Sequence, residues 1–262
     1  MKKRMTQPQD MTCGTPWKLI LMFAVPLILG NIFQELYTIV DTMVVGKKLG
    51  VNALAAVGAT GWVFMFNSML IQGFTQGFGI QIAKMVGEND TVKLKRAISN
   101  SIILSALLSI VLLLGMQLII NPAMHILRIP LNIRDISVTY LRVIFVGIPF
   151  SVAYNIFAVI LRSLGNSKTP LNAMVISTSS NIVLDILFVV GFQWGVIGAA
   201  VATIISQLLS AVYCFVILNK CDIFKANYIE FRLDIAETLV MLKLGTPMAI
   251  QNMIITIGGV VL

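Results

Sequence analysis

Long runs with almost no charged residues recur along this chain, and no other feature constrains its fold as much. A bilayer-spanning helix needs about 20 predominantly apolar residues, because backbone polar groups in hydrocarbon must be satisfied within their own segment. Uncharged or nearly uncharged stretches fall at about Leu19–Val45, Ala53–Ala83, Ala97–Ile120, Val143–Leu161, Leu171–Val190 and Val196–Leu218, and a seventh starts near Leu244 and is still apolar at Leu262. With 58% hydrophobic and 11% charged residues and a mean hydropathy of +0.92, a water-soluble globule is excluded. The expected fold class is an all-α, polytopic membrane protein whose first partner is the lipid bilayer. A net charge of +8 would point to nucleic acid in a soluble chain, but here the basic residues sit in short segments between apolar runs, so no nucleic-acid partner is expected. Cys13, Cys214 and Cys221 have no CxxC spacing and the lone His125 cannot complete a metal site with them, so neither zinc nor a disulfide framework is expected.

The basic residues set an orientation. Assigning loops alternately to two sides gives one side 14 Lys and Arg, among them Lys2, Lys3, Arg4, Lys84, Arg162, Lys168 and Lys243, and the other side five: Lys47, Lys48, Arg128, Arg134 and Arg142. By the positive-inside rule the N-terminus is cytoplasmic, in a cell inner membrane or plasma membrane. Met1-Lys2-Lys3-Arg4 resembles the basic region of a signal peptide, but no small-residue cleavage site follows at the usual depth, so the first run is expected to stay as a span.

The seventh run repeats the first. Placing Pro247 on Pro26 also aligns Asn252 with Asn31 and Val261 with Val40, and a long charged segment precedes the second copy as the basic N-terminus precedes the first. Six spans followed by a second start is the pattern of a transporter built from two six-helix halves. The expected organisation is a cytoplasmic N-terminus at 1–18, a six-helix lobe at 19–218, a cytoplasmic linker at 219–243 and the start of a seventh helix at 244–262. The missing partner is then the second lobe of the same protein. A seven-helix protein with a chance match at Pro247 and Asn252 is the competing reading.

Charged side chains inside the hydrocarbon are expensive, which makes Glu35, Asp41 and Asp185 functional candidates. Gln34, Thr38 and Asp41 are spaced i, i+4, i+7 on one helical stripe bordered by Tyr37, and Ser177, Asn181 and Asp185 form a second stripe at i, i+4, i+8. Asn155 on the fourth span, with Thr203 and Gln207 on the sixth, supply amides and hydroxyls. Two chemical uses are open to such a cluster: its carboxylates take up a proton, or they join carbonyl and hydroxyl oxygens around a bare Na⁺ at Asp41 and Asp185. Interhelical glue is the plain alternative. Glu35 lies about 240° round the helix from Asp41 and points elsewhere. Pro26 is either a packing kink or a hinge. Gln34, Tyr37, Thr38, Gln72 and Gln76 are candidate cavity residues, and Gly73 with Gly77 forms a GxxxG pattern suited to close helix packing.

With these residues in view, the chain resembles the multidrug and toxic compound extrusion (MATE) family of antiporters. The resemblance runs from about Trp17 to the end and rests on the Pro26-to-Asn31 opening, Val40-Asp41-Thr42 with Gly46, Leu161-Arg162-Ser163-Leu164-Gly165-Asn166, and Asn181-Ile182-Val183-Leu184-Asp185 leading into Gly195-Val196-Ile197-Gly198. It implies twelve helices in two lobes around a central cavity, exporting organic and often cationic compounds in exchange for H⁺ or Na⁺, with no cofactor. It also implies a cation site at Asp41, Asn181, Asp185 and Thr203, with Asn155 as a network partner and Pro26 as a hinge. Glu35 departs from the neutral residue usual at its position.

Two rivals stand beside this reading. A flippase for lipid-linked oligosaccharides would want a basic cavity, and interior charges that are carboxylates argue against it. A non-transporting membrane scaffold would use the same carboxylates as glue. An enzyme is not expected, because no nucleophile–base pair, metal motif or phosphate loop is present.

Overall fold

The computed structural model describes residues 15–221, 224 and 233–261, so the basic stretch at 2–4, Cys13 and most of the expected linker lie outside the described residues. The elements are α1 (Pro16–Leu49), α2 (Val51–Gly87), α3 (Thr91–Ile126), α4 (Leu131–Val146), α5 (Ile148–Ser163), α6 (Lys168–Asp185), α7 (Gly195–Leu218) and α8 (Ile235–Val261), with no strand among the described residues. Six helices are long and apolar enough to cross a membrane, and a seventh span appears when α4 and α5, bent by 47° at Gly147, count as one. Large apolar side chains such as Ile20, Val25, Val111, Leu114 and Leu118 stand exposed on α1 and α3. In water they would aggregate; in a bilayer they face lipid.

Helix boundaries follow local chemistry that hydropathy alone misses. The fourth span begins at Leu131 and not near Val143, because Arg134, Asp135 and Arg142 interrupt the apolar run without interrupting the helix. Its bend has two causes. Pro149 at the start of α5 withholds an amide donor. Gly147 also lets α7 approach so closely that a Cβ there would stand 2.7 Å from Ile204 Cγ1. Likewise α8 begins at Ile235, ahead of the apolar run at Leu244. Asp234 caps it, its Oδ1 accepting from the amides of Ala236 (3.0 Å) and Glu237 (3.3 Å). Residues 235–243 of the expected linker are therefore helical.

The interior holds two large apolar clusters at different heights and a small third one of Val45, Ala53, Val189 and Ala199. Of the large two, one is centred on Phe78, Ile82, Ile98, Ile160 and Leu161, the other on Ile71, Met124, Leu141, Phe145 and Ile148. Helix α2 contributes to both, and α8 docks along it. The GxxxG pair marks the seam: Gly73 faces the backbone of Ala249 and Gly77 that of Gly245, with no room for a side chain at either position. Polar clamps flank the seam. Gln81 Nε2 donates to Glu237 Oε1 (2.9 Å), and Asn100 both accepts from the Asp234 amide (3.0 Å) and donates to its carbonyl (3.1 Å).

Two outcomes follow for stability. Gly73→Leu or Gly77→Leu should lower the unfolding free energy by about 1–3 kcal/mol through overpacking, read as a reduced Tm in detergent. Asp90 caps α3 through the amides of Val92 (3.1 Å) and Lys93 (3.0 Å), and the Lys93 amide, with the Lys93 side chain, holds its carboxyl below the ordinary 3.8. A group lowered on folding stabilises above its unfolded value and stops doing so as pH falls through the folded one. The Tm gap between wild type and Asp90→Ala should therefore be open at neutral pH and close as the pH drops below 3.8.

Candidate functional site

Helix α1 lies parallel to α6, and three contacts fix their register. Gly30 leaves space for Met174, whose Sδ would be 2.8 Å from a Cβ at that position. Thr178 Oγ1 donates to the Phe33 carbonyl (3.4 Å), and Asp185 meets Asp41. The sequence separations are 144, 145 and 144 residues, as expected of two helices advancing together. The small residue and the hydroxyl thus set the distance at which the two carboxyl groups face each other.

This carboxylate pair is withdrawn from water. Asp41 is 7% exposed, and Asp185 and Asn181 are fully buried. Asp41 Oδ1, both Asp185 oxygens and both polar atoms of the Asn181 amide have no hydrogen-bond partner among the described residues. Buried polar atoms are nearly always paired, so five unpaired ones at one place make this seam a candidate site. Asp185 also stands where α6 passes into a π-helical turn, Ile186–Gly191. Such turns recur at functional positions because the extra residue breaks the regular ladder. Phe188 and Trp194 brace the turn by stacking at 5.0 Å, and Gly198 admits Phe188 against α7.

Beside this pair is a cavity of about 650 Å³ lined from α1, α2, α5, α6 and α7. Gln34, Thr38, Gln72 and Gln76 line it, as do Asn155 and Thr203. The residues named together for cation binding are therefore divided. Asp41, Asn181 and Asp185 do not line the cavity, whereas Asn155 and Thr203 sit on its wall. There, Asn155 Nδ2 donates to the Ser151 carbonyl (2.9 Å) and Thr203 Oγ1 to that of Ala199 (3.1 Å). The side chain of Tyr37 lies outside the described residues. Glu35 is exposed and off the cavity wall. Pro26 is buried within α1, which continues through it as helix.

Three features of the cavity escaped the sequence reading. Asn31, flagged only as a repeat match, lines it, as does Ser177 from the second stripe. Arg162, counted above as a loop residue, belongs to the last turn of α5 and is also on the wall. No described carboxylate is. The interior charge that counted against a basic cavity therefore lies elsewhere: Asp41 and Asp185 turn into the α1–α6 seam and not toward the open space.

Similar proteins agree with this architecture. A probable multidrug resistance protein of Bacillus subtilis, YpnP, is 31% identical over 252 residues, covering 95% of this chain and 56% of its own length. Among solved structures, a MOP superfamily transporter from Pyrococcus furiosus, described as having a binding pocket of reverse polarity that suggests a different function, aligns with a TM-score of 0.85 and 27% identity, covering 95% of this chain and 56% of that one. A multidrug resistance MATE family transporter in an outward-facing conformation aligns with a TM-score of 0.83 and 28% identity over 91% of this chain and 53% of its own. The chain spans about half the length of the relatives it matches. The MatE family model matches residues 26–187, which takes in both carboxylates, the hinge candidate and most of the cavity wall. This chain, a multi-pass membrane protein, belongs to the MatE family.

Proposed function

We propose that the chain forms the first lobe of a cation-coupled exporter of organic compounds, cationic ones among them, that works by alternating access with its N-terminus in the cytoplasm of a cell inner or plasma membrane. The observation that carries this reading is the Asp41–Asp185 pair with Asn181, buried together and short of five hydrogen-bond partners, with Asp41 one helical turn beyond the cavity-lining Thr38. Two negative charges in contact away from water repel strongly, and a proton or a Na⁺ between them removes the repulsion. The site is thus suited to a coupling cation, H⁺ or Na⁺.

Helix α1 links the two events because it belongs to both sites. Asp41 faces α6, while Asn31, Gln34 and Thr38 face the cavity. When the cation enters, α1 is drawn against α6, and bending at Pro26 carries its cavity-lining residues with it, displacing substrate outward. Release of the cation to the cytoplasm resets the lobe. The driving force is sufficient: one charge crossing 100 mV is worth about 2.3 kcal/mol, or roughly a fifty-fold concentration ratio.

In the full-length protein reconstituted in proteoliposomes, an imposed pH gradient and an imposed Na⁺ gradient applied separately should identify the cation, with only one driving export of a cationic dye. Asp185→Asn and Asp41→Asn should each abolish that export, because an amide cannot exchange a proton or balance a cation's charge; wild-type export from Asp185→Asn sinks the assignment. Pro26→Ala should leave the protein folded and dye affinity near wild type while lowering kcat by about tenfold or more, since it restores the amide donor and stiffens the bend. Unchanged turnover would make Pro26 a packing residue.

A further inference from the structure

The charge on the cavity wall has the opposite sign from the charges in the α1–α6 seam. Among the described residues, Arg162 is the charged side chain lining the cavity, surrounded by amides, hydroxyls and aromatic rings. It is half-buried and has no carboxylate partner there: the ion pairs among the described residues are Lys84–Glu88 and Lys93–Asp90, both at the surface. A half-buried guanidinium on a cavity wall without a carboxylate beside it is poorly satisfied, and its planar fork of donors fits a two-oxygen anion better than any neutral group.

The turn that carries Arg162 is held in place. Gly79 of α2 leaves no room for a side chain of its own because Val159 of α5 occupies that space. Next to Arg162, Ser163 Oγ donates to the Gly79 carbonyl (3.0 Å). The arginine backbone is therefore pinned to α2 by a packing contact three residues earlier in the helix and a hydrogen bond one residue later. Tyr154, two turns before Arg162 on the same helix, also lines the cavity. This anchoring is more than a helix C-terminus needs to place a cation near its last carbonyls.

We infer that Arg162 is a seat for a monoanionic oxygen group of the transported molecule, so that the cavity takes amphipathic compounds carrying a carboxylate or a phosphodiester, zwitterions included. The inference rests on reading the cavity as the substrate's seat and adds to it the chemical class. One positive charge is neutralised by one negative charge; a pyrophosphate would bring at least one more with no described cation to meet it. The amides of Gln72 and Gln76 are left for the neutral or cationic remainder of the molecule.

Rhodamine 110, which carries a free carboxylate, and rhodamine 123, its methyl ester, differ at the group in question. Binding of each to purified full-length protein in detergent, read by fluorescence anisotropy without any gradient, is independent of cation coupling. Failure here is therefore distinct from failure of the Asp185→Asn transport test. Wild type should bind rhodamine 110 about tenfold more tightly than rhodamine 123, and Arg162→Met should abolish that preference while still binding the ester. Arg162→Lys should retain part of the preference, having the charge without the fork. Equal or weaker binding of the acid by wild type overturns the proposal without reference to any variant, as does an Arg162→Met protein that keeps the preference. Competition by dihexanoylphosphatidylglycerol separates the two sources of the anion: displacement of rhodamine 110 extends the seat to lipid headgroups, and its absence confines the seat to solutes.

Discussion

Hydrocarbon offers no hydrogen bonds, and every part of this molecule answers to that fact. It makes the backbone helical from end to end of each span. It also makes each polar side chain in the interior either find a partner or mark a place where one is to arrive. Thr75, Ser101 and Ser109 take the first course, returning their hydroxyls to carbonyls of their own helices. Asp41, Asn181 and Asp185 take the second. Asn67, Ser105 and Thr238 each leave one buried atom unpaired as well, and it is the gathering of five such atoms that singles out the seam between α1 and α6.

Much of this was legible in the chain as written. The spans followed from apolar length, and helical spacing put Asp41 and Asp185 on inward stripes. The Gly73–Gly77 pattern anticipated a close helix contact. What escaped was directional. A stripe on a helix says that a residue faces inward, not whether it meets a neighbouring helix or an open space, and that distinction separates Asp41 and Asp185 from Gln34 and Thr38. It also separates Arg162 from the other basic residues used to orient the chain. A positive residue at the end of an apolar run reads as a loop anchor, and only packing by Gly79, Val159 and Ser163 turns it toward the cavity. The early starts of α4 and α8 were hidden for a related reason: charged residues end a hydropathy window but do not end a helix when a cap such as Asp234 is available.

The division between seam and cavity gives the lobe two electrostatic compartments. Negative groups are enclosed between α1 and α6, and a positive group stands on the wall at the far end of α5. On the proposed function and the proposed anion seat, a cation and an anionic substrate group would not compete for the same atoms. Helix α1 is the element that reaches both compartments, through Asp41 in the seam and through Asn31, Gln34 and Thr38 on the wall.

The α2–α8 seam has a mechanical consequence. At Gly73 and Gly77 the two helices meet backbone to backbone, with Ala249 and Gly245 opposite. Most helix interfaces interlock through side chains, and sliding or rocking them means sorting many rotamers into a new arrangement. A joint made of bare main chain has few rotamers to sort. It can tilt as a smooth bearing while the clamps at Gln81–Glu237 and Asn100–Asp234 keep one end of α8 from drifting away.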